Sequence, residues 1–136
     1  MSAPKHNAPA FGGRTILVVD DQAQIRSLIR QALEPYGATI LEASNGYEAL
    51  TVSRRRQGPI SLAMIDFMMP GLSGLDLAAE LGRDVPDLKI LYMSSAVESI
   101  AIESLLRRSP GLVLSKPFTL PELLQRICSL LGEQAV

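Results

Sequence analysis

The fold is decided by Thr15-Ile16-Leu17-Val18-Val19-Asp20-Asp21. A short, unbroken apolar run rich in β-branched residues reads as a strand buried on both faces, as in a parallel sheet. The run stops at two acids. Directly after it, Ile25, Leu28, Ile29, Ala32 and Leu33 recur at helical spacing, with Gln24, Arg26, Arg30 and Gln31 on the other face. That helix stops near Tyr36-Gly37, where glycine suits a left-handed cap.

The alternation then repeats along the chain. Ala38 to Ala43 reads as a strand, Asn45-Gly46 as a turn, and Gly46 to Gln57 as a helix ending in Arg54-Arg55-Arg56. Ile60 to Ile65 is a second apolar strand running into acid, at Asp66. Gly74 to Arg83 is a helix carrying Leu75, Leu77, Ala78 and Leu81. Leu88 to Met93 is a strand ending at Ser94-Ser95, and Ser99 to Arg108 a helix. Leu112 to Leu114 is a short strand before Ser115-Lys116-Pro117. Thr119 to Leu131 closes the pattern. Thr119 and Glu122 have capping-box spacing, Pro121 lies in the first turn, and Leu120, Leu123, Leu124, Ile127, Leu130 and Leu131 form the apolar stripe. Five strands alternating with five helices predict an α/β domain whose parallel sheet is covered on both faces. Such a doubly wound sheet reverses its winding once, and a crevice opens there at the carboxyl ends of the strands.

The 136 residues and 14.7 kDa are one domain's worth. With 47% hydrophobic and 20% charged residues, most of the chain is not disordered. Residues 1–13, rich in Ala, Pro and Gly, read as a mobile tail in which His6 is solvated; residues 14–132 are the domain and 133–136 a second tail. Cys128, the single cysteine, excludes an internal disulfide, argues against a cysteine zinc cluster and reads as a packing residue. The net charge of -1 gives no general attraction to nucleic acid or anionic membrane, and the arginine run complements a helix dipole. No apolar run approaches the ~20 residues of a membrane span, and the N-terminus lacks a signal-peptide core. These features together predict a cytoplasmic protein.

The informative residues are those that end the strands. With strand order 2-1-3-4-5, the first and third strands are neighbours at the switch point. Asp20, Asp21 and Asp66 then converge, flanked by the Ser94 hydroxyl and the Lys116 ammonium. Three close carboxylates repel one another and raise their own pKa values. A divalent cation relieves the conflict, and an oxygen-only donor set suits Mg²⁺ or Mn²⁺ better than zinc. The same crevice suits a phosphoryl group, with Lys116 and Ser94 on its oxygens and Asp66 as a nucleophile able to form an acyl phosphate. Taken singly, each motif also has a plain reading. Asp20-Asp21 would serve as a helix cap, Lys116 as a surface lysine and Ser94 as a loop residue.

Taken in order, the motifs resemble a response-regulator receiver domain of two-component signalling over about Thr15 to Leu131. They are Ile-Leu-Val-Val-Asp20-Asp21 with Arg26, then Asn45-Gly46-Tyr47-Glu48-Ala49-Leu50, then Ala63-Met64-Ile65-Asp66 with Met69-Pro70-Gly71 and Gly74-Leu75. Ile90-Leu91-Tyr92-Met93-Ser94 and Lys116-Pro117-Phe118 complete the set. The resemblance implies a flavodoxin-like sheet. It implies that Asp66 accepts phosphate from a histidine kinase or phosphotransfer protein. Asp20, Asp21 and Asp66 would hold Mg²⁺ with the backbone carbonyl of Met68, and Mn²⁺ could substitute. Ser94 would be the switch hydroxyl and Lys116 the phosphate partner, with Lys116-Pro117 cis.

Two departures stand out. Val113 occupies a position, three before the lysine, where the family often carries an aromatic switch residue. Met68 and Ala96 are apolar where the family often touches the attacking water, which predicts slow autodephosphorylation. The expected protein is therefore a signalling phosphoacceptor rather than an enzyme. It would act through contact with an unknown downstream protein, with no output domain following the last helix. The resemblance also allows a homodimer through the helix of Ser99–Arg108, the strand of Leu112–Leu114 and the helix of Thr119–Leu131. Leu91-Tyr92-Met93-Ser94 further resembles receivers attached to hybrid sensor kinases. The competing readings are a degenerate receiver used for docking alone, a haloacid-dehalogenase-type phosphatase and a flavin binder. The phosphatase needs Asp-x-Asp, whereas Asp20 and Asp21 are adjacent. The flavin binder needs a hydroxyl- and glycine-rich loop where the aspartates stand.

Overall fold

The computed structural model describes residues 11–95 and 113–132. Its elements are β1 (Thr15–Val19), α1 (Ala23–Leu33), β2 (Thr39–Ala43), α2 (Gly46–Arg55), β3 (Leu62–Asp66), α3 (Gly74–Asp84), β4 (Lys89–Ser95), β5 (Val113–Lys116) and α4 (Leu120–Leu131). The sheet is parallel throughout, in the order β2-β1-β3-β4-β5. This is the flavodoxin-like order expected from the sequence. The expected helix of Ser99–Arg108, Ala96, His6 and the tail at 133–136 lie outside the described residues.

Every residue of β1 and β3 is buried. Successive side chains point to opposite faces, so each strand feeds two cores. Ile16, Val18, Leu62 and Met64 join Ile29 and Leu33 of α1 and Leu123, Ile127 and Cys128 of α4. Leu17, Val19, Ala63 and Ile65 join Ala49 of α2 and Leu77 and Leu81 of α3. These alternating sets explain why a continuous apolar run, not a period-two pattern, is the signature of these strands. Cys128 is buried, in keeping with a packing role.

Local signals set the element ends. Glu34–Tyr36 form one tight 3-10 turn after α1, and Gly37 at φ 96° stops it. A side chain there would also press within 3.1 Å of the Gly12 backbone nitrogen. Asn45, which reads as part of a turn, is the N-cap of α2: its side chain accepts from the Glu48 N–H, and Glu48 accepts in return from Ser44 N–H. Thr119 and Glu122 form the expected capping box. The Lys116-Pro117 bond is cis.

The fold corrects several expectations. Phe11, expected in a mobile tail, is fully buried in the α1/α4 core. Its N–H donates to the Tyr36 carbonyl at 2.7 Å and its ring leans on Tyr36. An isolated aromatic in an Ala/Pro/Gly stretch carries no period, so only the tertiary fold reveals its place. Leu28, Leu75 and Leu120 are exposed although each belongs to an apolar stripe; the buried stripe is narrower than the apolar one. β5 runs on to Lys116 rather than stopping at Leu114, because its last two residues pair with Ser94 and Ser95 of β4. Arg56 does more than complement a helix dipole, since it donates to the Thr15 hydroxyl at 2.9 Å. No helix among the described residues is long and apolar enough to cross a membrane.

Candidate functional site

The carboxyl ends of β1, β3, β4 and β5 bring the sequence-predicted residues to one edge. Asp20 follows β1 and is wholly buried; Asp66 ends β3 and is 8% exposed. Asp21 is exposed beside them. Each of the three offers a carboxylate oxygen, and these oxygens lie within 4.8 Å of one another. The donors are all hard oxygens, two buried and one exposed, which fits a divalent ion of the Mg²⁺ or Mn²⁺ kind.

Asp20 is fastened at four points. Its N–H donates to the Ala43 carbonyl of β2 at 3.1 Å. Its carbonyl accepts from the Arg26 guanidinium at 2.7 Å. One carboxylate oxygen accepts from the Gln22 N–H at 2.9 Å, and the other accepts from Lys116 Nζ at 2.7 Å. Lys116 stands 3.7 Å from Asp66, so the ammonium bridges the two carboxylates but sits closer to Asp20. A buried carboxylate is strongly disfavoured without such partners.

Asp66 is less well satisfied. Its Oδ1 accepts from the Met68 N–H at 3.2 Å. Burial pushes its carboxyl up to about 6; Lys116 and the Met68 N–H oppose that rise, while Asp20 and Asp21 add to it. The balance is that of a carboxylate waiting for more positive charge than one ammonium supplies.

Ser94 is buried on β4, next to Met93, the register partner of Asp66. Val113 is also buried and lies in register with Tyr92. The Tyr92 ring meets Phe67 edge-on with centroids 5.7 Å apart. Met68 has an exposed side chain beside Asp66.

Two contributors carry the resemblance but receive no local role from the sequence. Gly74 opens α3 against the chain just after the acid, and a Cβ there would lie 3.0 Å from the Asp66 carbonyl oxygen and the Phe67 Cα. Arg26 belongs by periodicity to the polar face of α1, yet its side chain is only 18% exposed and is anchored to Asp20 and Glu42. The signal for Gly74 is the Ser-Gly at the helix start. Arg26 and Glu42 are sixteen residues apart, and only the pairing of β1 with β2 brings them together.

The family model for the response regulator receiver domain matches residues 16–128. The chain belongs to the response regulator receiver family. This receiver domain is 37% identical over 121 residues to the phosphate regulon transcriptional regulatory protein PhoB of Pseudomonas aeruginosa. That match covers 88% of the chain and 52% of PhoB. It is 31% identical over 123 residues to the sensor kinase CckA of Brucella abortus, covering 90% of the chain and 13% of the kinase. Its fold superposes on the response regulator TrrA of Thermotoga maritima, a structure in complex with Mg²⁺ and beryllium fluoride. The TM-score is 0.72 and the identity 32%, over 86% of this chain and 98% of TrrA. The receiver thus spans about half the length of one curated relative and a small part of the other.

Proposed function

We propose that this receiver is the phosphoacceptor of a two-component or phosphorelay system. The observation that carries the reading is the meeting of Asp20, Asp21 and Asp66 within 4.8 Å, with Lys116 bridging Asp20 and Asp66. Asp20, Asp21, Asp66 and the Met68 carbonyl would hold Mg²⁺, or Mn²⁺ in its place. The bound ion would supply positive charge to the transferring phosphoryl oxygens. An Asp66 carboxylate oxygen attacks the phosphorus of a phosphohistidine on a histidine kinase or phosphotransfer protein. The N–P bond breaks, the imidazole leaves and an acyl phosphate remains. Lys116 moves its hydrogen bonds from carboxylate to phosphoryl oxygen, and the Ser94 hydroxyl donates to another. TrrA, bound to Mg²⁺ and beryllium fluoride, is the related precedent for such an occupant. The signal passes by contact with a protein partner. Neither the Met68 nor the Ala96 side chain can orient water by hydrogen bonding, so the acyl phosphate persists.

The test is incubation with acetyl phosphate, with and without Mg²⁺, followed by intact mass. The wild type is expected to gain one phosphoryl group only with Mg²⁺ and to lose it slowly, and Asp66→Asn to gain none. A wild type that stays unmodified with its cognate histidine donor as well would favour the degenerate docking module. Rapid loss of the label would contradict the water argument.

A further inference from the structure

We infer that Arg26 is a positioning residue for the cation site, holding the β1–α1 turn so that Asp20 and Asp21 face Asp66. The inference rests on the Mg²⁺ reading above and concerns a residue that touches neither ion nor phosphate in it. The guanidinium has two hands. One donates to the Asp20 carbonyl at 2.7 Å, and the other to Glu42 at 3.1 Å. Glu42 is itself held by Arg30 at 2.7 Å, and Arg30 also donates to the Ile40 carbonyl at 3.0 Å. Arg26 and Arg30 are four apart and share one face of α1. The face of α1 that looked merely polar is therefore a clamp from helix to β2, with its tip on the main chain of the buried aspartate.

That tip matters because Asp20 has no slack. Its N–H and both carboxylate oxygens are engaged elsewhere, so its carbonyl is the remaining polar group of a fully buried residue. Without Arg26 the carbonyl has to turn toward another donor. The peptide that turns is the one joining Asp20 to Asp21, so both carboxylates would move together. Planar, two-handed donation is what arginine supplies and lysine does not. Groups that orient metal ligands from behind typically change affinity about 10–100-fold.

The sign of the effect separates positioning from charge. A cation close to a metal site repels Mg²⁺, so removing it for its charge alone would tighten binding. Removing a positioner weakens it. Mg²⁺ binding by titration calorimetry, read beside an amide NMR spectrum of the metal-free protein, tests this on wild type, Arg26→Met and Arg26→Lys. The expected result is about tenfold weaker binding for Arg26→Met, partial recovery in Arg26→Lys, and metal-free shifts centred on residues 20–22 and 42–43. Unchanged or tighter binding by Arg26→Met overturns the inference while leaving the Mg²⁺ reading intact. Absence of Mg²⁺ binding by the wild type overturns both. Should Arg26→Met fail to fold, Arg26→Gln decides by the same sign.

Discussion

The two ends of the same strands follow opposite rules. Along β1 and β3, side chains such as Leu17, Val18, Met64 and Ile65 are fully buried within the two apolar cores. One residue further, the chain places Asp20 at no exposure and Asp66 at 8%, with three carboxylates clustered and one ammonium bridging two of them. The strand bodies are close to what stability alone would select. The carboxyl edge is not, and it stands only because the bodies over-determine the positions of the acids. In the proposed function, this charge crowding at the edge is what a bound cation would relieve.

The largest break in this comparison should come from the strand body. Leu17 is fully buried on a strand flanked by both β2 and β3. Leu17→Ala removes apolar burial and leaves a cavity that a five-stranded sheet cannot close, for a loss of about 4 kcal/mol. Urea unfolding measures it, and the slope with denaturant should stay constant while the midpoint falls. A loss under ~1 kcal/mol would mean that the interior is far more plastic than its burial implies.

The edge should respond in the other direction and to pH. The Asp66 carboxyl is raised from 3.8 to about 6 on folding, first by burial. The folded state therefore holds its proton more tightly than the unfolded chain does. Stability is fully present below about pH 4 and is lost as pH rises to about 6. The loss is roughly 3 kcal/mol at most, since each tenfold difference in proton affinity between the two states is worth ~1.4 kcal/mol. Unfolding midpoints taken in chelator across this range should show the decline. Asp66→Asn should flatten that part of the curve, and added Mg²⁺ should offset the loss in the wild type. A wild-type curve that rises between pH 4 and 6 would mean that other carboxylates, such as Glu42 held low by Arg30, outweigh Asp66.

This contrast explains what the sequence makes legible. A strand buried on both faces must be a continuous apolar run, and a sudden acid at its end is conspicuous against it. β1, β3, Asp20, Asp21 and Asp66 can therefore be located without coordinates. The capping box at Thr119 and the glycine stop at Gly37 are equally local and equally readable. What stays hidden depends on distant partners. Phe11 has no period to announce its burial against Tyr36. Arg26 looks solvent-facing on a helical wheel, because Glu42 reaches it only through sheet pairing. Asn45 is visible as a turn former, but its part as a helix cap depends on the backbone of Glu48.

The smallest expected effect sharpens the comparison at the level of single charges. Arg54 of α2 donates to Asp84 of α3 at 2.9 Å, nearly the separation of Lys116 from Asp20 at 2.7 Å. Distance alone would rank the two pairs together, but surroundings do not. The Arg54 side chain is 53% exposed and Asp84 33%, whereas Asp20 is wholly buried. Water and salt screen the outer pair, and holding two long side chains in place opposes it entropically. Asp84 is also the last residue of α3, where the negative end of the helix dipole disfavours a carboxylate. Asp84→Asn should therefore change stability by under ~0.5 kcal/mol in low salt, and by less in half-molar salt. A loss above ~1 kcal/mol that survives high salt would mean that the α2–α3 contact is organised by Arg54, Glu80 and Asp84 as a network. The outer face would then share the logic of the buried edge, where charges act together and removing any one of them exposes the rest.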